Sequence, residues 1–274
     1  MVRSKPFSRA GRLVRALAWT VLLLLSLGPV AVFGLYALSR RWFYPDLWPA
    51  EWTFGPFWRQ LTDPRTRAAL AQSGLVALLV SGLSLLVGYP AARAIELGLG
   101  RGKHLIYALL FLPTVVPSVA TGIGLNIVFL RLGLAGTFWG VALVHLIPVL
   151  PYTVLTLGGV LARYDPGYEQ QARVLGASRW QTFWRVTLRL IRPGLIVSGL
   201  LAFLISWSQY VLTLLIGGGR VVTLPILLFS TLAGGNPTTI SGLSLIFIAP
   251  LVLALALSSR YLADAGAQKD VPHQ

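Results

Sequence analysis

Six long stretches of the chain contain no Asp, Glu, Lys or Arg, and most of their residues are apolar. A helix that crosses the hydrocarbon core of a bilayer needs about 20 mostly apolar residues, and every stretch exceeds that length. The pattern therefore predicts an all-α membrane protein with six transmembrane helices. We expect these helices near residues 16–38, 69–92, 105–129, 138–161, 195–216 and 240–258.

The first apolar stretch follows a basic segment, an arrangement that also occurs in secretory signal peptides. Its apolar part is longer than a signal-peptide core, and no small-residue cleavage pattern follows it. We therefore predict that residues 16–38 are retained as a transmembrane helix.

The basic residues predict how the helices are oriented. If the N-terminus is cytoplasmic, 16 of the 23 Lys and Arg residues fall in cytoplasmic segments, as the positive-inside rule requires. A basic segment 1–15 and a tail 261–274 are then cytoplasmic. The loop 39–67 is external and contains four tryptophans, so we expect it along the outer membrane surface. Residues 68–260 form a five-helix core whose cytoplasmic loop covers 162–193.

The composition supports lipid as the main solvent of the chain. Apolar residues make up 55% and charged residues 11%, which is about half the charged fraction of a soluble domain. The net charge of +15 would also suit nucleic-acid binding, but the basic residues flank apolar stretches, so no nucleic-acid partner is expected. There is no cysteine, which excludes disulfides and thiolate sites.

The chain lacks the patterns of an enzyme. Its nearest approach to the phosphate-binding pattern G-x-x-x-x-G-K-[ST], at 98–104, is one residue short and has His104 at the hydroxyl position. The three histidines share no metal-ligand spacing. For His145, in the fourth predicted helix, a bond to a neighbouring helix is favoured over metal ligation. We therefore expect no catalytic residue, no metal and no bound cofactor in this chain.

Ionisable groups are nearly absent from the predicted helices, which contain no acid and only His145 as a base. Proton-driven carriers usually keep an ionisable group inside the membrane. The driving energy is therefore expected from outside the membrane domain, and ATP hydrolysis from a separate chain.

The loop between the fourth and fifth predicted helices contains local helix signals. Asp165 and Pro166 suit the start of a helix, and Gly176 suits its end. Ser178 and Gln181 form a capping-box pattern that begins a second helix. This predicts a helix–glycine–helix element, which is suited to docking into a groove on a partner.

The second of these helices has an apolar stripe on one face and arginines on another. Such a distribution is typical of a helix that lies in the membrane interface. The stripe consists of Trp180, Phe183, Trp184, Thr187, Leu188 and Ile191.

Residues 168–193, YEQQARVLGASRWQTFWRVTLRLIRP, resemble the EAA loop of binding-protein-dependent ABC importer permeases. The family pattern is Glu-Ala-Ala, three residues and a glycine, followed later by an apolar residue, any residue, and Leu-Pro. The looser resemblance covers about 65–262. The matching positions are Gln170, Gln171 and Ala172 for the triplet, Gly176 for the glycine and Leu188 for the leucine.

Two positions depart from the family pattern. Gln170 replaces the glutamate, although Glu169 is adjacent, and Arg189 replaces the proline. A neutral Gln170 retains hydrogen bonding but loses charge pairing. Two explanations are open: the partner ATPase is altered in complement, or a second, different permease subunit carries the fuller motif. A heteromeric permease pair is slightly favoured over a homodimer.

The resemblance implies a type I importer architecture in the bacterial inner membrane. Two permease subunits would face each other above two ABC ATPase subunits, which bind ATP and Mg, and an extracytoplasmic solute-binding protein would deliver the solute. The loop 165–192 would couple this chain to the ATPase. The residues expected at that contact are Glu169, Gln170, Gln171, Ala172, Leu175, Gly176, Ala177 and Ser178.

Polar residues inside the predicted helices are candidates for the solute path. They would serve equally well as hydrogen-bonding groups between helices, and both interpretations stay open. The resemblance is to permeases for polyamines, ferric iron, thiamine and small inorganic anions. The alternative functions are an ATP-independent carrier or channel and a membrane assembly subunit. The path candidates are Asn126, Ser206, Gln209, Tyr210 and Thr213.

Overall fold

The computed structural model describes residues 9–40, 42, 46, 48–100 and 102–267. The predicted segments 1–15 and 261–274 therefore lie partly outside the described residues. The described part is helical apart from its loops and one isolated antiparallel bridge between Ser39 and Trp52. The helices are α1 (Arg9–Ala37), α2 (Gly55–Thr62), α3 (Pro64–Arg93), α4 (Lys103–Val115), α5 (Ser118–Arg131), α6 (Phe138–Leu161), α7 (Gly167–Val174), α8 (Arg179–Thr182), α9 (Leu188–Trp207), α10 (Val211–Gly217), α11 (Leu224–Leu232) and α12 (Pro237–Ala267).

Among the described residues, five helical segments are long and apolar enough to cross a membrane, and the bent pair α4–α5 makes a sixth if it is one span. The two ends of that pair lie at opposite ends of α6. A Cβ on Gly158, near the end of α6, would collide with Tyr107 of α4, whereas Arg131 at the end of α5 leads into the start of α6. The pair therefore runs the length of α6, which supports six spans.

The chain divides into two units by its contacts. One consists of the described residues up to Arg67 together with Leu228–Ile248, and it includes α1, α2 and the start of α12. In this unit the Arg40 N–H donates to the Glu51 carbonyl at 3.2 Å, next to the isolated bridge. The predicted external loop 39–67 thus contains local structure, including the short helix α2.

The second unit consists of Ala68–Leu227 together with the described residues from Ala249, and α6 lies at its centre. Half of the α6 residues are buried, and they contribute to two apolar core clusters of this unit. Glycines let the neighbouring helices approach closely. A Cβ on Gly88 of α3 would lie 2.6 Å from the Thr153 methyl carbon, and one on Gly194 of α9 would lie 2.6 Å from a Val160 methyl carbon.

The third predicted span is broken rather than straight. The helices α4 and α5 meet at 93° around Val116 and Pro117. Pro117 has no N–H to donate, and it holds Val116 in an extended conformation (φ −73°, ψ 133°). Pro113, Pro148 and Pro151, by contrast, remain inside continuous helices.

The fifth predicted span also differs from the expectation. It begins much earlier, because α8, a π-helical turn at Phe183–Thr187 and α9 form one continuous helix from Arg179 to Trp207. The amphipathic segment is therefore the N-terminal part of this span and not a separate interfacial helix. Pro193 does not interrupt the helix, because it is accommodated within α9. The span then breaks at 208–210 before α10.

Candidate functional site

The loop after α6 forms a short helix with a defined start. The Asp165 side chain accepts a hydrogen bond from the Gly167 N–H at 2.8 Å, and Pro166 precedes the first helical residue. Both satisfy the requirements of a helix N-terminus, where the first N–H groups lack carbonyl partners. The start of α7 is thus set by local sequence, one residue later than the pattern predicts.

The end of α7 is set by Gly176. This glycine has φ +89°, a conformation that costs side-chain-bearing residues energy. Its N–H donates to the Arg173 carbonyl, and the Ala177 N–H donates to the Ala172 carbonyl, both at 3.0 Å. This pair of bonds is a Schellman motif, which closes the helix and turns the chain.

The next helix starts with the predicted capping box. The Gln181 N–H donates to the Ser178 hydroxyl at 3.2 Å, and the Ser178 N–H donates to the Gln181 side chain at 3.0 Å. Because α8 continues into the fifth span, the chain turns at Gly176 and then enters a membrane-crossing helix directly. Only a few residues therefore separate α7 from the fifth span.

Glu169 fixes the base of α7 to the helix bundle. Its side chain is 7% exposed, and Arg93 at the end of α3 donates two hydrogen bonds to it, at 2.8 and 2.9 Å. The hydroxyls of Tyr164 and Thr187 each donate to Oε1 of Glu169 at 2.8 Å. The hydrogen bonds from Arg93 outweigh burial and lower the pKa of Glu169 to about 2. The carboxylate is therefore ionised at neutral pH.

The opposite side of α7 is open to its surroundings. Val174 and Leu175 are 87% and 88% exposed at the end of the helix. Gln170, Gln171 and Gly176 are also exposed, and Ala172 and Ala177 are half-buried. We call residues 170–172 and 174–177 the exposed tip; Arg173 lies instead on the side of Glu169, with its guanidinium 3.5 Å from that carboxylate. The predicted coupling residues therefore divide into a buried anchor, Glu169, an exposed tip, and Ser178 in the following cap.

Sequence reasoning missed the partners of Glu169. No sequence pattern pairs Glu169 with Arg93, Tyr164 or Thr187. One signal was present: Asp165 and Glu169 are the only acids in 162–193, and an acid beside a membrane-crossing segment needs a partner. The identity of that partner depends on tertiary contact.

Two of the predicted path residues bind His145 inside the bundle. The ring atoms Nδ1 and Nε2 of His145 lie 2.9 Å from the hydroxyls of Ser206 and Thr213, respectively, and all three side chains are buried. Thr213 donates its single hydroxyl hydrogen to the Gln209 carbonyl at 2.9 Å. It therefore accepts from Nε2–H, and Nδ1 accepts from Ser206. The histidine joins α6 to both sides of the break in the fifth span.

Gln209 is the path candidate that lines a cavity. The cavity has a volume of about 420 Å³ and lies beside the break between α4 and α5. Its polar lining consists of neutral groups: Gln209, Thr114, Ser118, Thr121 and Tyr152. An uncharged cavity with a mixed polar and apolar lining inside a membrane protein is suited to the passage of a solute.

The remaining two path candidates lie elsewhere. The side-chain amide of Asn126 donates to the Leu215 carbonyl and joins α5 to α10. Tyr210 lies in the break between α9 and α10 and is half-buried. The structure therefore brings Ser206 and Thr213 together at His145 and places Gln209 at the cavity. Asn126 forms a hydrogen bond between two helices.

A family of proteins shares most of this sequence. The family model described as "Binding-protein-dependent transport system inner membrane component" matches residues 74–267, which include α7, Gly176 and the fifth span. The chain belongs to this family. It is therefore a transport permease of the ABC importer class and a multi-pass membrane protein.

Named relatives of this permease are themselves transport permeases. The molybdenum transport system permease protein ModB of Mycobacterium tuberculosis is 34% identical over 176 residues, which cover 60% of this chain and 67% of ModB. The putative 2-aminoethylphosphonate transport system permease protein PhnV of Salmonella typhi is 28% identical over 240 residues, which cover 87% of this chain and 90% of PhnV.

The fold of the permease has been seen in a solved structure. A bacterial ABC transporter involved in the import of the acidic polysaccharide alginate has a chain that matches with a TM-score of 0.72 at 18% identity. The match covers 94% of this permease and 99% of that chain. A second structure of the alginate transporter, in complex with an alginate pentasaccharide-bound periplasmic protein, matches with a TM-score of 0.59 at 16% identity over 91% of this permease and 93% of that chain.

Proposed function

We propose that this permease forms the translocation path for a small solute and is driven by a separate ATPase that binds the exposed tip. An extracytoplasmic binding protein delivers the solute, and a second permease subunit completes the path in the bacterial inner membrane. ATP and Mg bind to the ATPase. The observation that carries the proposal is the combination of a buried, multiply bonded anchor at Glu169 with an apolar, exposed tip at Val174 and Leu175.

The geometry suits the transmission of force. A helix that only rested on the bundle would tilt when a partner pushed its tip, but Glu169 is bonded to three side chains from α3, the loop and the fifth span. The chain then passes through one glycine turn into the fifth span. A displacement of the exposed tip is therefore delivered to α9 rather than dissipated in a loose loop.

The cavity beside Gln209 is where that displacement would act on the solute. The break between α9 and α10 and the break between α4 and α5 both border it, since Gln209 and Ser118 line the cavity. Breaks of this kind allow the two halves of a span to move relative to each other, and in transporters they commonly lie at solute sites. A rocking movement at these breaks would open the cavity to one side at a time.

We infer that the solute is a small anion. Among the described residues, the cavity lining contains no carboxylate to hold a cation, and its hydroxyl and amide groups can donate hydrogen bonds. Ser118, the first residue of α5, lines it, and the N-terminal end of a helix carries a partial positive charge. The name of PhnV, which refers to 2-aminoethylphosphonate, agrees with this class.

The proposed coupling is tested by placing a charge at the exposed tip. Leu175→Asp should abolish co-purification with the partner ATPase and solute-driven uptake into proteoliposomes, because it puts a carboxylate into an apolar contact. Leu99→Asp is the control, since Leu99 is 38% exposed in the loop that follows α3, the helix whose end binds Glu169.

Two results would overturn the proposal. One is ATP-driven uptake by Leu175→Asp at the wild-type rate. The other is uptake by the permease alone, without ATPase and ATP, which would instead favour the ATP-independent carrier or channel. Loss of ATPase binding in both variants would show that added charge, and not the exposed tip, is responsible.

A further inference from the structure

A basic cleft lies beside the Glu169 anchor. It has a volume of about 240 Å³ and is bounded by the end of α3, by α7 and by the start of the fifth span. Three arginines and one glutamate line it: Arg93, Arg173, Arg179 and Glu169. The remaining lining residues are neutral, so the cleft carries a net positive charge. We call it the arginine cleft.

The hydrogen-bonding capacity of Glu169, the acid of the cleft, is already used by neighbouring side chains. Glu169 accepts hydrogen bonds from Arg93, Tyr164 and Thr187, and Arg173 lies farther away, at 3.5 Å. Within the part of the chain that the structure describes, the side chain of Arg179 has no hydrogen-bond or ion-pair partner. The guanidinium groups of Arg173 and Arg179 therefore retain donors that face a space large enough for a small group.

The chemistry of these donors selects an oxyanion. A guanidinium group presents N–H donors in a planar fork that matches the oxygen atoms of a phosphate. It also stays positively charged at physiological pH. Two such groups around one cavity can hold a phosphate oxygen pair from two sides. The cleft is too polar for an acyl chain and offers few acceptors for a cation.

The position of the cleft connects it to the membrane surface. Arg93 directly follows the charge-free stretch 68–92, so it lies where the hydrocarbon region ends. Trp180 and Trp184, at the start of the fifth span, are 70% and 50% exposed, and tryptophan favours the headgroup region. The arginine cleft therefore opens at the depth at which phospholipid phosphates lie.

We propose that the arginine cleft binds the phosphate group of an anionic phospholipid in the leaflet that faces the 162–193 loop. The inference rests on the proposed function for the orientation of that leaflet. The bound phosphate joins Arg173 of α7 to Arg179 of the fifth span across the Gly176 turn. The lipid thereby stiffens the connection through which the exposed tip acts on the membrane helices.

A carboxylate of the partner ATPase is the competing occupant. The observations favour the lipid, because the cleft lies on the anchored side of α7, whereas the exposed apolar side chains that suit a protein partner lie at the tip. Because a guanidinium group binds a carboxylate and a phosphate with the same N–H donors, an experiment is needed to distinguish the two occupants.

The test uses the purified full-length permease without ATPase, after removal of native lipid. Binding of phosphatidylglycerol and phosphatidylcholine is measured by native mass spectrometry. The double variant Arg173→Ala/Arg179→Ala should bind phosphatidylglycerol about tenfold or more weakly than wild type, because it removes two charge-assisted contacts to the phosphate. Arg185→Ala/Arg189→Ala removes the same charge from exposed positions of the same span and should bind nearly as wild type does.

Each other outcome has a defined meaning. Two results would overturn the proposal: an equal loss of phosphatidylglycerol binding in the two double variants, or equal binding of phosphatidylglycerol and phosphatidylcholine by wild type. Either result would mean that the lipid is attracted by the overall positive charge or binds without preference, and not by the arginine cleft. Displacement of the lipid by inorganic phosphate at an equal concentration would show a free-anion site. Unchanged lipid binding together with lost ATPase binding in Arg173→Ala/Arg179→Ala would assign the cleft to the ATPase.

Two measurements keep the test independent of folding and of the proposed function. If the double variant is not recovered, Arg179→Gln is compared with Arg185→Gln, both of which change an exposed side chain. Lipid binding requires no ATPase, whereas Leu175→Asp tests ATPase binding without altering the cleft. A failure of one proposal is therefore distinguishable from a failure of the other.

Discussion

Arg93 and Glu169 are 76 residues apart in the chain and meet through two parallel hydrogen bonds of 2.8 and 2.9 Å. This bidentate geometry is the strongest form of the Arg–carboxylate pair. It joins the end of the second span to the base of α7. The position of the exposed tip therefore depends on a helix that is distant in sequence, and the loop cannot move without either breaking the pair or carrying α3 with it.

Removal of Arg93 should loosen this anchor. In Arg93→Ala, Glu169 keeps its buried position but loses its charge partner, and we expect a loss of about 2–3 kcal/mol in the free energy of unfolding. That is below the usual cost of breaking a fully buried pair, because Arg93 is a third exposed. Thermal unfolding and hydrogen exchange of 167–176 measure the effect. The control, Arg173→Ala, should change stability little, because that side chain is half exposed.

Acid should weaken the same anchor. The pKa of Glu169 is lowered from about 4.5 to about 2. A carboxylate with a lower pKa in the folded state stabilises the fold fully above its unfolded pKa, and the stabilisation is lost as the pH falls toward the folded pKa. The stability difference between wild type and Glu169→Gln should therefore shrink between about pH 5 and pH 2. Unfolding curves over that pH range measure the difference in stability, and Glu51→Gln is the control substitution at an exposed site. A stability difference between wild type and Glu169→Gln that stays constant with pH would contradict the prediction.

The Gly176 turn should be sensitive to any side chain. Gly176→Ala places a Cβ at φ +89° and should destabilise the loop by about 1 kcal/mol, although no atom lies close enough to clash. Gly176→Pro should be more severe, because it forbids that φ and removes the N–H that donates to Arg173. We expect an inserted subunit whose ATPase activity no longer drives uptake.

Gly159→Ala is the control for the glycine series, since Gly159 lies inside α6 with open space around it. That variant should be as stable as wild type or slightly more stable. Normal ATP-driven uptake by Gly176→Pro would show that the shape of the turn has no part in coupling.

His145 should act together with Thr213. His145→Leu should lower the free energy of unfolding by about 1–3 kcal/mol, because it removes two hydrogen bonds between helices. A double-mutant cycle with Thr213→Val should give a coupling energy of about 0.6–1.7 kcal/mol. Thr153→Val is the control, since Thr153 donates within its own helix. Additive effects of His145→Leu and Thr213→Val would mean that the contact contributes nothing.

Gln209 should influence the solute. If a small anion passes the cavity, Gln209→Glu places a like charge on its path and should reduce ATP-driven uptake about tenfold or more, without changing ATPase binding. Ser208→Ala is the adjacent control, because that hydroxyl donates to the Leu204 carbonyl of its own helix at 2.9 Å. Uptake of a polyamine that rises in Gln209→Glu would instead indicate a cationic solute.

Much of the fold follows from the sequence because its signals are local. Charge-free stretches indicate spans without knowledge of any partner, since lipid excludes charge wherever the helix packs. The capping box at Ser178 and Gln181 and the turn at Gly176 are satisfied by bonds within a few residues. These features were predicted and are confirmed, with the start of α7 displaced by one residue.

Tertiary structure alone decided the contacts that connect distant segments. Five prolines lie in the third, fourth and sixth predicted spans, yet the break lies at Pro117, whereas the other four lie inside helices. A membrane helix tolerates a proline when neighbouring groups satisfy the freed carbonyl, so the presence of a proline alone does not predict a break. The fifth span breaks at 208–210 with neither proline nor glycine, beside the hydroxyls that bind His145. Sequence shows that Glu169 and His145 are polar groups near or inside a membrane that need partners, but only the packed bundle selects Arg93, Ser206 and Thr213.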